Sequence, residues 1–261
     1  MSLGQTRTHV GRNHAVIAPD SHVVAPLVGW RHTEGVVLMS PAMGPTGCGP
    51  GFVQTLVHLT EQSVGGPAPA GCERFVYVIH GRADVAGQTL DPGGYAWLNP
   101  GDPAPIRGVG EATLWVHEQT YTPHPDHAVP STLHGHIDHQ TAEPFQGDPA
   151  ARLAKLLPEQ DGFDLEINRF TFDPGAALPL VESHVNEHGL LMTHGQGVYR
   201  LGTGADEHWQ TVEAGDAIWM GAYCPQWFGC LGKAPATYLY SKNVRRSALP
   251  CSTAPDPTAP M

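Results

Sequence analysis

Short runs of alternating apolar and polar residues, each closed by glycine, proline or asparagine, recur along most of this chain. Residues 75–79, 95–98, 112–116, 165–170, 189–192, 217–220 and 237–240 are rich in β-branched and aromatic side chains and read as strands. One stretch breaks the pattern. Residues 150–157, Ala-Ala-Arg-Leu-Ala-Lys-Leu-Leu, predict about two turns of helix, ended by Pro158. Residues 246–261 hold few large apolar groups and read as a disordered tail. The expected fold class is therefore all-β with few short helices, and the 31 glycines and 25 prolines agree with a chain of many turns.

The pattern also repeats. His80-Gly81 closes one strand and His194-Gly195 another, and Gly93-Gly-Tyr-Ala-Trp97 matches Gly215-Asp-Ala-Ile-Trp219 with the tryptophans in register. The simplest division is an amino-terminal unit at 1–120, a loop-rich histidine-containing linker at 121–148, a carboxy-terminal unit at 149–245 and the tail at 246–261.

Within the second unit, Glu182, His184 and His188 sit at even spacing, so a strand would turn all three to one face. Gln226, at the end of a further strand-like run, supplies a fourth oxygen or nitrogen donor. Together they form an N₂O₂ set that suits harder divalent ions such as Mn²⁺ or Fe²⁺ better than a thiolate-type zinc site. Counting from the matched glycines, the first unit has Ala68, Ala70, Arg74 and Ala104 at the same places. None of these ligates a metal, so one unit is expected to bind metal and the other to be structural.

Tyr238, Tyr240 and Lys242 alternate along another strand and share a face; Tyr199 follows Gly195 by four residues. If that face meets the ligands, Lys242 can bind a carboxylate and Tyr238 can hydrogen-bond a leaving group or water. His134, His136 and His139, with His124 and His127, resemble a metal cluster but fall in a proline-rich stretch where no strand or helix is expected to fix their spacing. Cys224 is two residues before Gln226, with nothing nearby to lower its thiol pKa.

The net charge of −11 and the lack of a Lys/Arg cluster argue against nucleic acid and anionic membranes as partners. Five cysteines without a Cys-x-x-Cys pair do not suggest a disulfide framework. No apolar run reaches the length of a membrane span, and the amino terminus lacks an apolar leader core, so a cytoplasmic location is the default expectation.

The Gly-x₆-Glu-x-His-x₃-His-x₆-Gly element, followed by Gly-x₅-Gly-x-Tyr-x₂-Gln, resembles the two cupin motifs with the usual order of His and Glu permuted. With Gly195-Gln-Gly-Val-Tyr199 and Tyr238-Leu-Tyr-Ser-Lys242, it is similar to the (S)-ureidoglycine aminohydrolases, bicupin enzymes of allantoin degradation. The resemblance implies two tandem cupin barrels and Mn²⁺ held by Glu182, His184, His188 and Gln226. It also implies substrate contacts from Tyr199, Tyr238 and Lys242, a small ureide substrate and a homo-oligomer. The implied reaction releases ammonia from (S)-ureidoglycine and leaves (S)-ureidoglycolate. The competing readings are a cupin Fe(II) dioxygenase, which needs more open metal positions than a four-ligand site leaves, and a non-enzymatic metabolite-binding cupin.

Overall fold

In the computed structural model, residues 6–43 and 49–244 are described; the tail expected at 246–261 lies outside them, as do Cys48 and Cys251. The fold is all-β, and its strand pairing traces open paths through three sheets. All seven strands expected from the sequence are present, some within longer ones: residues 75–79 lie in Cys72–Val85 and 112–116 in Ile106–Thr120. The helix expected at 150–157 is not there. That segment forms the strand Asp148–Lys155, paired on one side with Leu165–Phe172 and on the other with Ala142–Phe145. Its residues are good helix formers, but two flanking strands satisfy its backbone, and tertiary context overrides a weak local preference.

The repeat is visible in the backbone. Gly81 and Gly195 both take positive φ, 73° and 72°. A side chain there would collide with the opposite strand: an added Cβ comes within 2.0 Å of Glu111 O and 2.4 Å of Pro235 O, respectively. Just before each glycine the register shifts in the same way. Val78 pairs with Leu114 and His80 with Thr113, while Met192 pairs with Tyr238 and His194 with Thr237. Gly93 then donates to Val78 O and Gly215 to Met192 O, at 2.9 and 2.8 Å.

Each unit also uses a strand from before the other. His14–Ile17 pairs with Ala217–Met220 in the carboxy-terminal half, and Arg7 pins that arm by bonding buried Asp216 at 2.7 Å and Glu213 at 2.8 Å. Leu133–His136 pairs with Gly94–Leu98 in the amino-terminal half. The stretch expected to be a loop-rich linker, with no strand to fix its histidines, thus contains one. That strand does fix His134 and His136, whose Nε2 atoms donate to Val85 O and Pro92 O at 2.8 and 3.2 Å. These imidazoles are satisfied by backbone.

Between the halves lies a core of Phe52, Phe75, Tyr95, Trp97, Trp115, Leu165, Trp219 and Leu239. The interior of the amino-terminal half is filled by aliphatic side chains such as Val57, Val76, Leu98, Leu114 and Val116. The carboxy-terminal interior is aromatic and polar instead, with Phe170, Tyr199, Phe228 and Tyr238.

Candidate metal and substrate site

One cavity of about 130 Å³ in the carboxy-terminal half is lined by Glu182, His184, His188, Tyr199, Gln226, Tyr238, Tyr240 and Lys242, over an apolar floor that includes Phe170, Leu190 and Met220. Every site residue expected from the sequence reaches this cavity. The elements that bring them there differ from the expectation in two respects. Glu182 to His188 is not one strand: only His188 belongs to one, His188–His194, while Glu182 makes an isolated bridge to Gln226 and His184 lies in the connection. Gln226 starts the strand Gln226–Cys230 rather than ending one. The convergence therefore comes from the backbone bonds Glu182 N–H to Gln226 O and Gln226 N–H to Glu182 O, both 2.9 Å, and not from strand alternation.

The two histidines face each other, His188 Nε2 to His184 Nε2, at 3.1 Å. His188 Nδ1 donates to Ser241 O at 3.2 Å and His184 Nδ1 to Asn186 O at 3.0 Å. With both Nδ1 protons committed to carbonyls, both Nε2 atoms present lone pairs to the same point. Two lone pairs at that separation repel, unless a cation about 2.1 Å from each nitrogen lies between them. The Gln226 amide is 3.3 Å from His184 Nε2, and rotation of its last bond offers an oxygen to the same place. Among the described residues no three His, Cys, Asp or Glu side chains form a closed cage. The donor set that fits a divalent ion here is the histidine pair and the Gln226 amide, with the Glu182 carboxylate on the cavity wall.

The electrostatics agree with metal-ready imidazoles. Burial, then the neighbouring His184 and the Lys242 ammonium, push His188 down to about 3, and burial and Lys242 lower His184. Burial raises Glu182, against the pull of Lys242. One cation is thus felt by all three. Tyr199 and Tyr238 share a hydrogen bond, and burial raises both phenols and that of Tyr240, so they stay protonated. Cys224 is buried behind the wall rather than lining the cavity, and burial lifts its thiol to about 11.

A broader groove of about 710 Å³ lies on the amino-terminal half, lined in part by Trp30, His58, His80 and Glu111. His58 and His80 flank Thr113 on neighbouring strands, and among the described residues no three His, Cys, Asp or Glu side chains gather there as a metal group.

The chain matches no family model. It is 37% identical over 251 residues to the (S)-ureidoglycine aminohydrolase of Arabidopsis thaliana, a match that covers 94% of this chain and 80% of the relative. Its structure superposes on the Escherichia coli protein Ylba with a TM-score of 0.78 at 30% identity, over 93% of this chain and 96% of that one. A Bacillus subtilis oxalate decarboxylase shares the fold alone, with a TM-score of 0.66 at 11% identity over 91% of this chain and 78% of that one. The all-β bicupin architecture expected from the motifs is therefore the observed one. At this identity and coverage, the chain belongs to the (S)-ureidoglycine aminohydrolase family.

Proposed function

We propose that this chain hydrolyses (S)-ureidoglycine to (S)-ureidoglycolate and ammonia, with Mn²⁺ held by Glu182, His184, His188 and Gln226. The observation that carries this reading is the facing pair of Nε2 atoms at 3.1 Å in the cavity that Lys242 also lines, in a chain whose relative over most of its length bears that enzyme's name. When bound, the metal supplies a Lewis acid that anchors and polarises the substrate.

The surrounding residues account for the rest. The Lys242 ammonium, close enough to lower Glu182 and to disfavour protonation of both histidines, pairs with the substrate carboxylate and orients it. Tyr199 and Tyr238 remain protonated, so they act through hydrogen bonds and not as bases, and one of them can hold the departing amine or the incoming water. The apolar floor of Phe170, Leu190 and Met220 keeps bulk water from the reacting carbon. The C–N bond to the α-amino group breaks, a C–O bond to water forms, and ammonia leaves. The enzyme works as a homo-oligomer in the cytoplasm on this reading.

Ammonia release from freshly generated ureidoglycine, corrected for spontaneous decomposition, tests the assignment. Lys242→Ala and Glu182→Ala are expected to fall to the background rate. Wild-type rates in either variant would remove the basis for the proposed roles.

A further inference from the structure

Gln54 lies on the strand Phe52–Leu59 of the half that carries no ligands, and it is 0% exposed. Its amide reaches across the boundary between the halves. It donates to Gly189 O at 3.0 Å and to Ser241 Oγ at 3.1 Å, and the Ser241 hydroxyl donates to the same Gly189 carbonyl at 3.2 Å. Gly189 is the residue after His188, and Ser241 O is the acceptor for His188 Nδ1–H. One side chain from the amino-terminal half therefore grips both strands that set the angle of the His188 ring.

The grip is itself supported from behind. The Gln54 amide is 3.3 Å from His117 Nδ1, His117 Nε2 donates to Gln119 Oε1 at 3.3 Å, and Gln119 Nε2 donates to Glu73 Oε1 at 2.7 Å. His117 is the register counterpart of Ser241, since it lies four residues beyond Thr113 as Ser241 lies four beyond Thr237. The network thus joins equivalent positions of the two repeats.

A second observation is steric. An added Cβ at Gly189 would come within 2.4 Å of the Phe52 ring and 2.6 Å of Gln54 Nε2. Gly189 lies six residues before Gly195, and its counterpart six residues before Gly81 is Phe75, which pairs with Trp97 as Gly189 pairs with Trp219. At the site, the side chain has been given up where Gln54 enters.

We propose that Gln54 is a positioning residue for the metal site: through Gly189 and Ser241 it holds the His188 ring so that Nε2 faces His184. This rests on reading His184 and His188 as metal ligands, and it makes the ligand-free half a part of the site's support.

The test is Mn²⁺ affinity, measured by competition with a fluorescent chelator and so independent of turnover. Gln54→Met keeps the length and removes the donors; its affinity is expected to weaken on the order of 10-fold. Ser241→Ala weakens it in the same direction, and the double variant is little worse than the weaker single because both act in one chain of bonds. Tyr121→Phe removes another buried long-range bond, from the start of the linker to the carboxy-terminal half, Tyr121 Oη to Gly162 O at 2.7 Å, and keeps wild-type affinity. If Gln54→Met fails to fold, the comparison of Ser241→Ala with Tyr121→Phe decides. Wild-type affinity in both Gln54→Met and Ser241→Ala overturns the proposal, as does an equal loss in Tyr121→Phe. A wild-type chain that binds no Mn²⁺ overturns instead the ligand reading beneath it.

Discussion

Arg74 and Glu118 are cross-strand partners 2.7 Å apart in the amino-terminal half, at the register positions that His188 and Lys242 hold in the other half. The same two places on one fold carry an ion pair in one copy and, in the other, the imidazole and ammonium proposed above as metal ligand and substrate-binding cation. Arg74 also donates to Gly66 O at 2.7 Å and lies 5.5 Å from the Trp30 ring, so its charge is consumed by structure. Glu118→Ala leaves that buried guanidinium without its counter-ion. Urea unfolding is expected to show a loss of roughly 3 kcal/mol, with Mn²⁺ content per folded chain unchanged.

Removing an imidazole acts differently. His184→Ala or His188→Ala takes away one of the two facing lone pairs, and metal analysis after dialysis is expected to show loss of bound Mn²⁺ with a fold that still melts cooperatively. In the apoprotein each variant also relieves the contact between two lone pairs. The melting temperature without metal should therefore hold or rise, while metal no longer raises it.

Trp219 Nε1 donates to Glu187 Oε1 at 2.6 Å, and Trp97 Nε1 donates to Glu73 Oε2 at 2.5 Å. In each half this bond ties a strand to the boundary. The second partners differ: Glu187 accepts from Gly51 N–H at 3.1 Å, whereas Glu73 meets Asp164. Trp219→Phe and Trp97→Phe are each expected to cost about 1–3 kcal/mol in denaturant unfolding. The Trp97 variant should lose more at alkaline pH, because this N–H bond favours the ionised form of Glu73.

The pH dependence of stability has two limbs from this boundary. Burial pushes His117 down to about 4, against about 6.5 in an unfolded chain. Its contribution is complete above about pH 6.5 and fades as pH falls toward about 4, by at most roughly 3 kcal/mol. Glu73 runs the other way: burial and the adjacent Asp164 raise it well above its ordinary value of 4.5. Its contribution is complete below about that value and is lost as pH rises through the folded pKa. Urea unfolding from pH 4 to 8 should therefore show a flatter acid limb in His117→Asn and a flatter alkaline limb in Glu73→Gln. Unchanged profiles in both variants would contradict this.

Much of this was legible in the sequence because the signals were local. Strand alternation, the His-Gly turns and the register of Trp97 with Trp219 depend on neighbours a few residues apart, and three of the four proposed ligand residues, Glu182, His184 and His188, stand in one short motif. What failed depended on distant partners. Residues 150–157 have helical composition, and only flanking strands make them extended. His14–Ile17 reaches across more than half the chain to Ala217–Met220. Gln54 gave no signal at all, because a lone glutamine in a strand acquires its meaning only from Gly189 and Ser241 on the other half.

The most direct measurement is the rate of ammonia release from freshly generated (S)-ureidoglycine as Mn²⁺ is titrated into the metal-free chain. The rate is expected to rise in proportion to bound metal and to level off at one ion per chain, far above spontaneous decomposition. A rate at the background level, or one indifferent to metal, would contradict it.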